Sequence, residues 1–163
     1  MKPYVQMKVS FFAWKASWGR ILTMDQLKRR GSRLLCRCYL YKEKEELVYH
    51  ILLHCSKVVM IFWQLIYALF RVQWNILFSI KDALLIWHDS FIGKNNRKVW
   101  RTTLLCLFFT IQKKRNKRAF KSIKNTNQAI KQSFMWIFWE WVRVRIGEGS
   151  LSLMDFIDLL HSN

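Results

Sequence analysis

The chain predicts an all-α fold: a small helical domain around an incomplete Cys/His turn, followed by a basic, aromatic-rich helical extension. Three observations carry that expectation. With one Pro and five Gly in 163 residues, there are too few turn formers for a β-sandwich or a disordered tract. A hydrophobic fraction of 52% and an aromatic fraction of 16%, with nine Trp, supply an ample core. Apolar side chains also recur at the three- and four-residue spacing of a buried helix face.

The elements follow in order. Residues 7–16 place Val9, Phe12, Ala13 and Ala16 for a short first helix. In ILTMDQLKRRG, Thr23 is a natural N-cap, Gln26 three residues on completes a capping box, and Gly31 is a C-terminal stop. Residues 32–44 are polar and irregular, as a turn carrying cysteines would be. From Glu45 a helical pattern runs through His50, Leu53 and Val58 towards Phe70, with a break expected near Ser56. A looser stretch over 71–96 separates the halves, giving expected domains of 1–72 and 73–163. Trp100, Leu104, Leu107, Phe108 and Ile111 then share one face of a helix that continues into KKRNKRAFK. Residues 127–146 form another helix, with Phe134, Ile137, Phe138 and Trp141 on one side and Gly147 and Gly149 ending it. SLSLMDFIDLL is a last short helix capped by Ser150 or Ser152. There is no internal repeat.

Charge bounds the partners. Against 10 Asp and Glu stand 28 Lys and Arg, a formal net charge of +18. Such a surface concentrates phosphate and favours nucleic acid or an anionic membrane. The apolar runs Val58–Phe70 and Leu104–Ile111 fall short of the roughly 20 residues a spanning helix needs, so they are expected in the core. The N-terminus lacks an apolar signal region and a small-residue cleavage site. Four Cys, unevenly placed, do not make a disulfide scaffold, which fits a reducing compartment. The expected location is the nucleus or cytoplasm, not the secretory route.

Residues 36–55 read CRCYLYKEKEELVYHILLHC. Cys38, His50 and Cys55 stand where three ligands of a Cys-Cys-His-Cys zinc site would stand, and Tyr41 occupies the place of the fourth. Zinc wants four donors in a tetrahedron, and a phenol with a pKa of about 10 is a poor one at neutral pH. Cys36, in a Cys-x-Cys with Cys38, and His54, four residues after His50, are the substitutes within reach. The competing reading has Cys38 and Cys55 as buried thiols, His50 hydrogen-bonded in the core, and Tyr41 filling the vacant volume.

At this point the residues resemble a known family. PYVQMKVSFFAWKASWGRILTMDQLKRRG, followed by RCYLYKEKEELVYHILLHC, resembles the zinc-binding domain that follows the reverse transcriptase in plant non-LTR (LINE-type) retrotransposon polyproteins. The resemblance rests on Lys8, Phe11, Phe12 and Trp14, then on Ile21, Leu22, Thr23, Asp25, Leu27, Arg30 and Gly31. It continues through Cys38, Glu46, His50, Leu52, Leu53 and Cys55. VWRTTLLCLFFTIQKKRNKRAF and SLSLMDFIDLL are similar to the C-terminal tail of the same polyproteins. Departures are Tyr41 for a Cys, Phe109 and Gln112 for two Trp, and Lys114 for an acidic residue. The chain starts about where that domain starts, so it reads as a detached fragment without endonuclease or polymerase.

The resemblance implies a bound zinc and a template RNA or target DNA as partner, held through the phosphate backbone. Residues of the expected contact are Lys28, Arg29, Arg30, Arg33 and Arg37 before the Cys-turn, and Lys113, Lys114, Arg115, Lys117, Arg118 and Lys121 in the later helix. From Ser90 to Trp139 there are 12 Lys or Arg and no Asp or Glu. KKRNKR also resembles a basic nuclear-import run. Trp14, Trp18, Trp63, Trp100, Trp136, Trp139 and Trp141 are expected mostly in the core, with Trp18 the one to test for base stacking. No enzyme is expected. The ten acids form no close carboxylate set for two-metal chemistry, and there is no phosphate-binding Gly loop or nucleophile elbow. Cys106 is expected to be inert inside its helix, and Glu46 to support the metal turn. The alternatives are a retroelement remnant that folds without metal or nucleic acid, and a basic membrane-associated helical protein. No small-molecule substrate is expected.

Overall fold

A computed structural model describes residues 7–31, 33, 37–40, 42, 44–73, 75, 79–90, 97–121, 126–146 and 152–161. Helix α1 (Met7–Ser17) buries Val9, Ala13 and Ala16 on one stripe. The two alanines keep that stripe thin, and α1 packs on two later helices, α5 (Ile80–Asp89) and α6 (Arg97–Lys121). Gly19, at φ +63°, closes α1: its N–H bonds the Ala16 carbonyl at 3.0 Å and the Arg20 N–H bonds that of Lys15 at 2.8 Å. That pair of bonds satisfies carbonyls a helix end leaves open.

Helix α2 (Met24–Arg29) begins at Thr23, but the expected capping box does not form. The Thr23 hydroxyl donates to Asp25 at 3.3 Å, and the Gln26 amide reaches the Gly19 carbonyl at 3.2 Å. The Met24 N–H is taken instead by the carboxylate of Glu46, 3.1 Å away. A charged acceptor from a distant segment outcompetes the local hydroxyl at this helix start. Gly31, at φ +92°, ends the turn as expected.

The Cys-turn is a tight reversal. Arg37 and Glu45 pair as an isolated antiparallel bridge, and the Cys38 N–H bonds the Lys44 carbonyl at 2.7 Å. Lys42 sits at φ 67°, in the left-handed region. Among the described residues there is no β-strand.

A helical run then leads to Phe70, with one break. Its parts are a first π turn (His50–His54), α3 (Ser56–Val58), a second π turn (Val59–Trp63) and α4 (Gln64–Phe70). The break lies at Cys55, whose backbone is extended (φ −60°, ψ 123°), one residue before the expected Ser56. Helix α5 (Ile80–Asp89) occupies part of the stretch read as loose. The Ser79 hydroxyl caps it by accepting from the Asp82 N–H at 3.3 Å, and Ile80, Ala83 and Trp87 turn inward.

Helix α6 (Arg97–Lys121) is the central strut. Its 25 residues, at about 1.5 Å each, span about 37 Å. Trp100, Leu104, Leu107, Phe108 and Ile111 are all buried, as their spacing predicts. Thr103 and Thr110 are buried too, their hydroxyls returned to the carbonyls four residues back at 2.9 and 2.8 Å. Trp87 and Trp100 stack at 3.6 Å between centroids, each indole N–H donating to the other's backbone carbonyl. Helix α7 (Asn127–Ile146) lies along α6. Its inward stripe is Ile130, Phe134, Phe138 and Val142, while Ile137 and Trp141 are only half buried. Gly147, Gly149 and Ser150 lie outside the described residues. Helix α8 (Leu153–His161) is capped by Ser152, which exchanges bonds with Asp155, and Phe156 packs on Phe138.

The two halves share one hydrophobic cluster, running from Ala16 through Leu52 and Trp63 to Phe108, Phe138 and Phe156. Among the described residues no helix is long and apolar enough to cross a membrane.

Candidate metal centre

Local winding brings the three donors together. A five-residue step on an α-helix of about 3.6 residues per turn rotates a side chain by roughly 140°, so His50 and Cys55 would diverge. The first π turn widens the coil, and the Cys55 N–H bonds the His50 carbonyl at 2.6 Å, an i to i+5 closure. Both side chains then face the Cys-turn, where Cys38 waits. Ligand atoms of Cys38, His50 and Cys55 all lie within 4.8 Å of one another, and all three residues are buried.

The donor set fits zinc. The two sulfurs are 3.8 Å apart. Tetrahedral zinc with Zn–S bonds of about 2.3 Å sets its sulfurs about 3.8 Å apart. His50 Nε2 is buried with no hydrogen-bond partner among the described residues, a costly state for a polar atom unless something else uses its lone pair or proton. The Cys55 thiol is lowered from 9.0 to about 7, chiefly by its bond with the Cys38 thiol, and further by the backbone N–H groups of Val58 and Lys57, against the opposing effect of burial. Thiolate is the form a metal takes. Of the fourth-donor candidates, Tyr41 and Cys36 lie outside the described residues. His54 is not part of the converging group, and its ring meets the edge of Tyr49 at 6.2 Å.

Glu46 braces this turn from behind. Fully buried, it accepts from the Met24 N–H and, at 3.1 Å, from the N–H of Tyr39, the residue after Cys38. Arg115 completes the group, donating Nε to Glu46 Oε1 at 2.9 Å with a second short contact through Nη2. Neither side chain of the pair touches solvent. The expectation for Glu46 as a support of the turn thus acquires atoms.

For Arg115 the structure corrects the reading as a nucleic-acid contact. Its position in KKRNKR suggested the charged stripe, but α6 turns it inward, where the buried Glu46 charge demands a partner. Nothing in the local sequence separates Arg115 from its neighbours. The signal was the acid at Glu46, expected to support the metal turn.

The other basic residues divide by place. Lys28, Arg29, Arg30, Arg33 and Arg37 are exposed around α2 and the Cys-turn, with Arg29 paired to Asp25 at 3.2 Å. Lys113, Lys117 and Lys121 are exposed on α6. Lys114 and Arg118 are half buried, Lys114 donating to Ser133 at 3.1 Å and Arg118 to the Leu40 carbonyl at 3.2 Å. Trp63 and Trp100 lie in the core as expected, whereas Trp14, Trp18 and Trp136 are exposed. Cys106 is buried, and burial pushes its thiol far up. Among the described residues no other group of three or more His, Cys, Asp or Glu donors converges.

Residues 1–63 match the model of a family described as zinc-binding in reverse transcriptase. The resemblance to a reverse-transcriptase zinc-binding domain holds over that segment, which runs from the N-terminus to the end of the second π turn. No curated protein and no solved structure matches the chain.

Proposed function

We propose that this chain, whose residues 1–63 carry a reverse-transcriptase zinc-binding segment, is a non-catalytic nucleic-acid-binding accessory domain derived from a plant LINE-type retroelement. The convergence of Cys38, His50 and Cys55 at zinc distance carries the reading. Those three residues would hold the metal, with the fourth position supplied from the Cys-turn or by solvent. When bound, zinc would serve as a structural cross-link between the Cys-turn and the helical run. Glu46 holds the turn to α2, and the exposed cations before Cys38 and along α6 would meet phosphates.

Two titrations test it. Cobalt added to metal-free protein is expected to give thiolate charge-transfer absorption that zinc displaces. Binding of RNA or single-stranded DNA is expected to weaken steeply from about 50 to 200 mM salt. Indifference to metal together with salt-insensitive binding would sink the proposal and leave a remnant that folds without either.

A further inference from the structure

One recess lies where the two halves meet, beside the metal centre but separate from it. Its floor is apolar, built chiefly from Ile61 and Phe62 of the second π turn, Ile111 of α6 and Ile130 of α7. Its rim is cationic: Lys57 from α3, and Lys114, Lys117 and Arg118 from one face of α6. Among the described residues no carboxylate lines it. Among the described residues none of the four cations is ion-paired to an acid, in contrast to Arg29, Arg115 and Arg143. Lys114 is lowered by burial and by the neighbouring charges of Lys117 and Lys113, a cost that an arriving anion would relieve.

Four cations with no acid partner among the described residues, set over an apolar floor, suit a ligand with a flat uncharged body and an attached anion. A duplex offers phosphates but keeps its bases stacked away, and a free phosphate would leave the floor unused. A single strand offers both. We propose that this pocket seats one nucleotide of single-stranded nucleic acid, its base against the apolar floor and its backbone phosphate on Lys57, Lys114, Lys117 and Arg118.

This rests on the nucleic-acid reading above and gives it a place. The pocket is also tied to the metal turn: Leu40, two residues after Cys38, lines it and accepts from Arg118, and Lys57 follows Cys55 by two. Ordering that turn would therefore order two pieces of the pocket wall.

The test is fluorescence anisotropy on the full zinc-treated chain. The probes are a labelled twelve-nucleotide deoxythymidine strand, an abasic strand of equal length and charge, and a duplex. Lys57→Gln and Lys117→Gln are each expected to weaken binding of the strand about three- to tenfold, and the double variant to lower the salt slope by about 0.7, the share of one phosphate. Lys98→Gln, an equal charge loss outside the pocket, is expected to cost less than about twofold. The abasic strand and the duplex should each bind about tenfold more weakly than the strand.

Protection of Lys57, Lys114 and Lys117 from acetylation by bound strand, read on unmodified protein, gives a second measure independent of variant folding. Equal losses at Lys98 and the pocket lysines, equal binding of the abasic strand, or no protection would overturn the pocket while leaving nucleic-acid binding intact. Absence of binding to any strand at low salt would overturn both. Phosphatidylserine vesicles that strip the strand and protect the same lysines would assign the pocket to lipid and overturn the proposal.

Discussion

At the residue scale, the energetics concentrate in two buried groups. The Glu46–Arg115 pair is fully enclosed, and Glu46 also serves two backbone N–H groups. Removing one partner strands a buried charge, a loss of about 3–5 kcal/mol. Arg115→Met should therefore destabilise by about that much, and adding Glu46→Gln should recover part of it. Denaturant melts of the single and double variants check both.

The Cys55 thiol carries a pH signature. Its folded value of about 7 lies below the ordinary 9.0, so the thiolate is favoured in the folded state. Stability from this group is complete above 9 and is lost as pH falls through 7. Metal-free protein should accordingly gain stability from pH 7 to 9, and Cys55→Ala should flatten that rise in thermal melts. Tyr41→Cys would place a thiolate where the sequence resemblance expects the fourth ligand. It should raise zinc affinity and melting temperature together, the cobalt spectrum reporting one more sulfur ligand.

Helix ends govern the element scale. Helix α5 exists where the chain looked loose because Ser79 caps it and Ile80, Ala83 and Trp87 fall on one side. The Ser-x-x-Asp pattern at Ser79 and Asp82 was there to be read, but a short helix with an exposed Leu85 and Ile86 blurs its own periodicity. Ser79→Ala should cost about 1 kcal/mol. Helix α4 ends at Arg71, which takes the left-handed conformation at φ 51°. An L-residue there loses about 1–2 kcal/mol, and glycine returns about 0.5–1 in chain entropy, so Arg71→Gly should stabilise by roughly 0.5–1 kcal/mol. The first π turn is the element that makes the metal group, since only an i to i+5 closure aligns His50 with Cys55.

Across the whole molecule, the metal turn is fastened to a larger core: Cys38 and Cys55 edge the same buried cluster that holds Trp100, Phe108, Phe134 and Phe138. Helices α6 and α7 pack along each other, with Phe109 against Trp141, and Phe134 and Phe138 stack within α7. Chelation should therefore loosen residues 37–55 and spare α6 and α7. Hydrogen exchange with and without a chelator distinguishes this from global unfolding, in which both regions would exchange together.

The helical class, the stripe of α6, the break beside Ser56 and the trio Cys38, His50 and Cys55 were legible in the chain. Each is written in local periodicity, capping residues or motif spacing. Tertiary structure decided what depends on distant groups meeting. It gave the α2 N-terminus to Glu46 rather than Thr23, turned Arg115 inward, and wound the π turn that lets three donors converge. It also set Lys57 beside the α6 lysines. Local pattern records which face a residue takes along its own helix, whereas the partner across the core is chosen only when buried charges and backbone groups must all be satisfied at once.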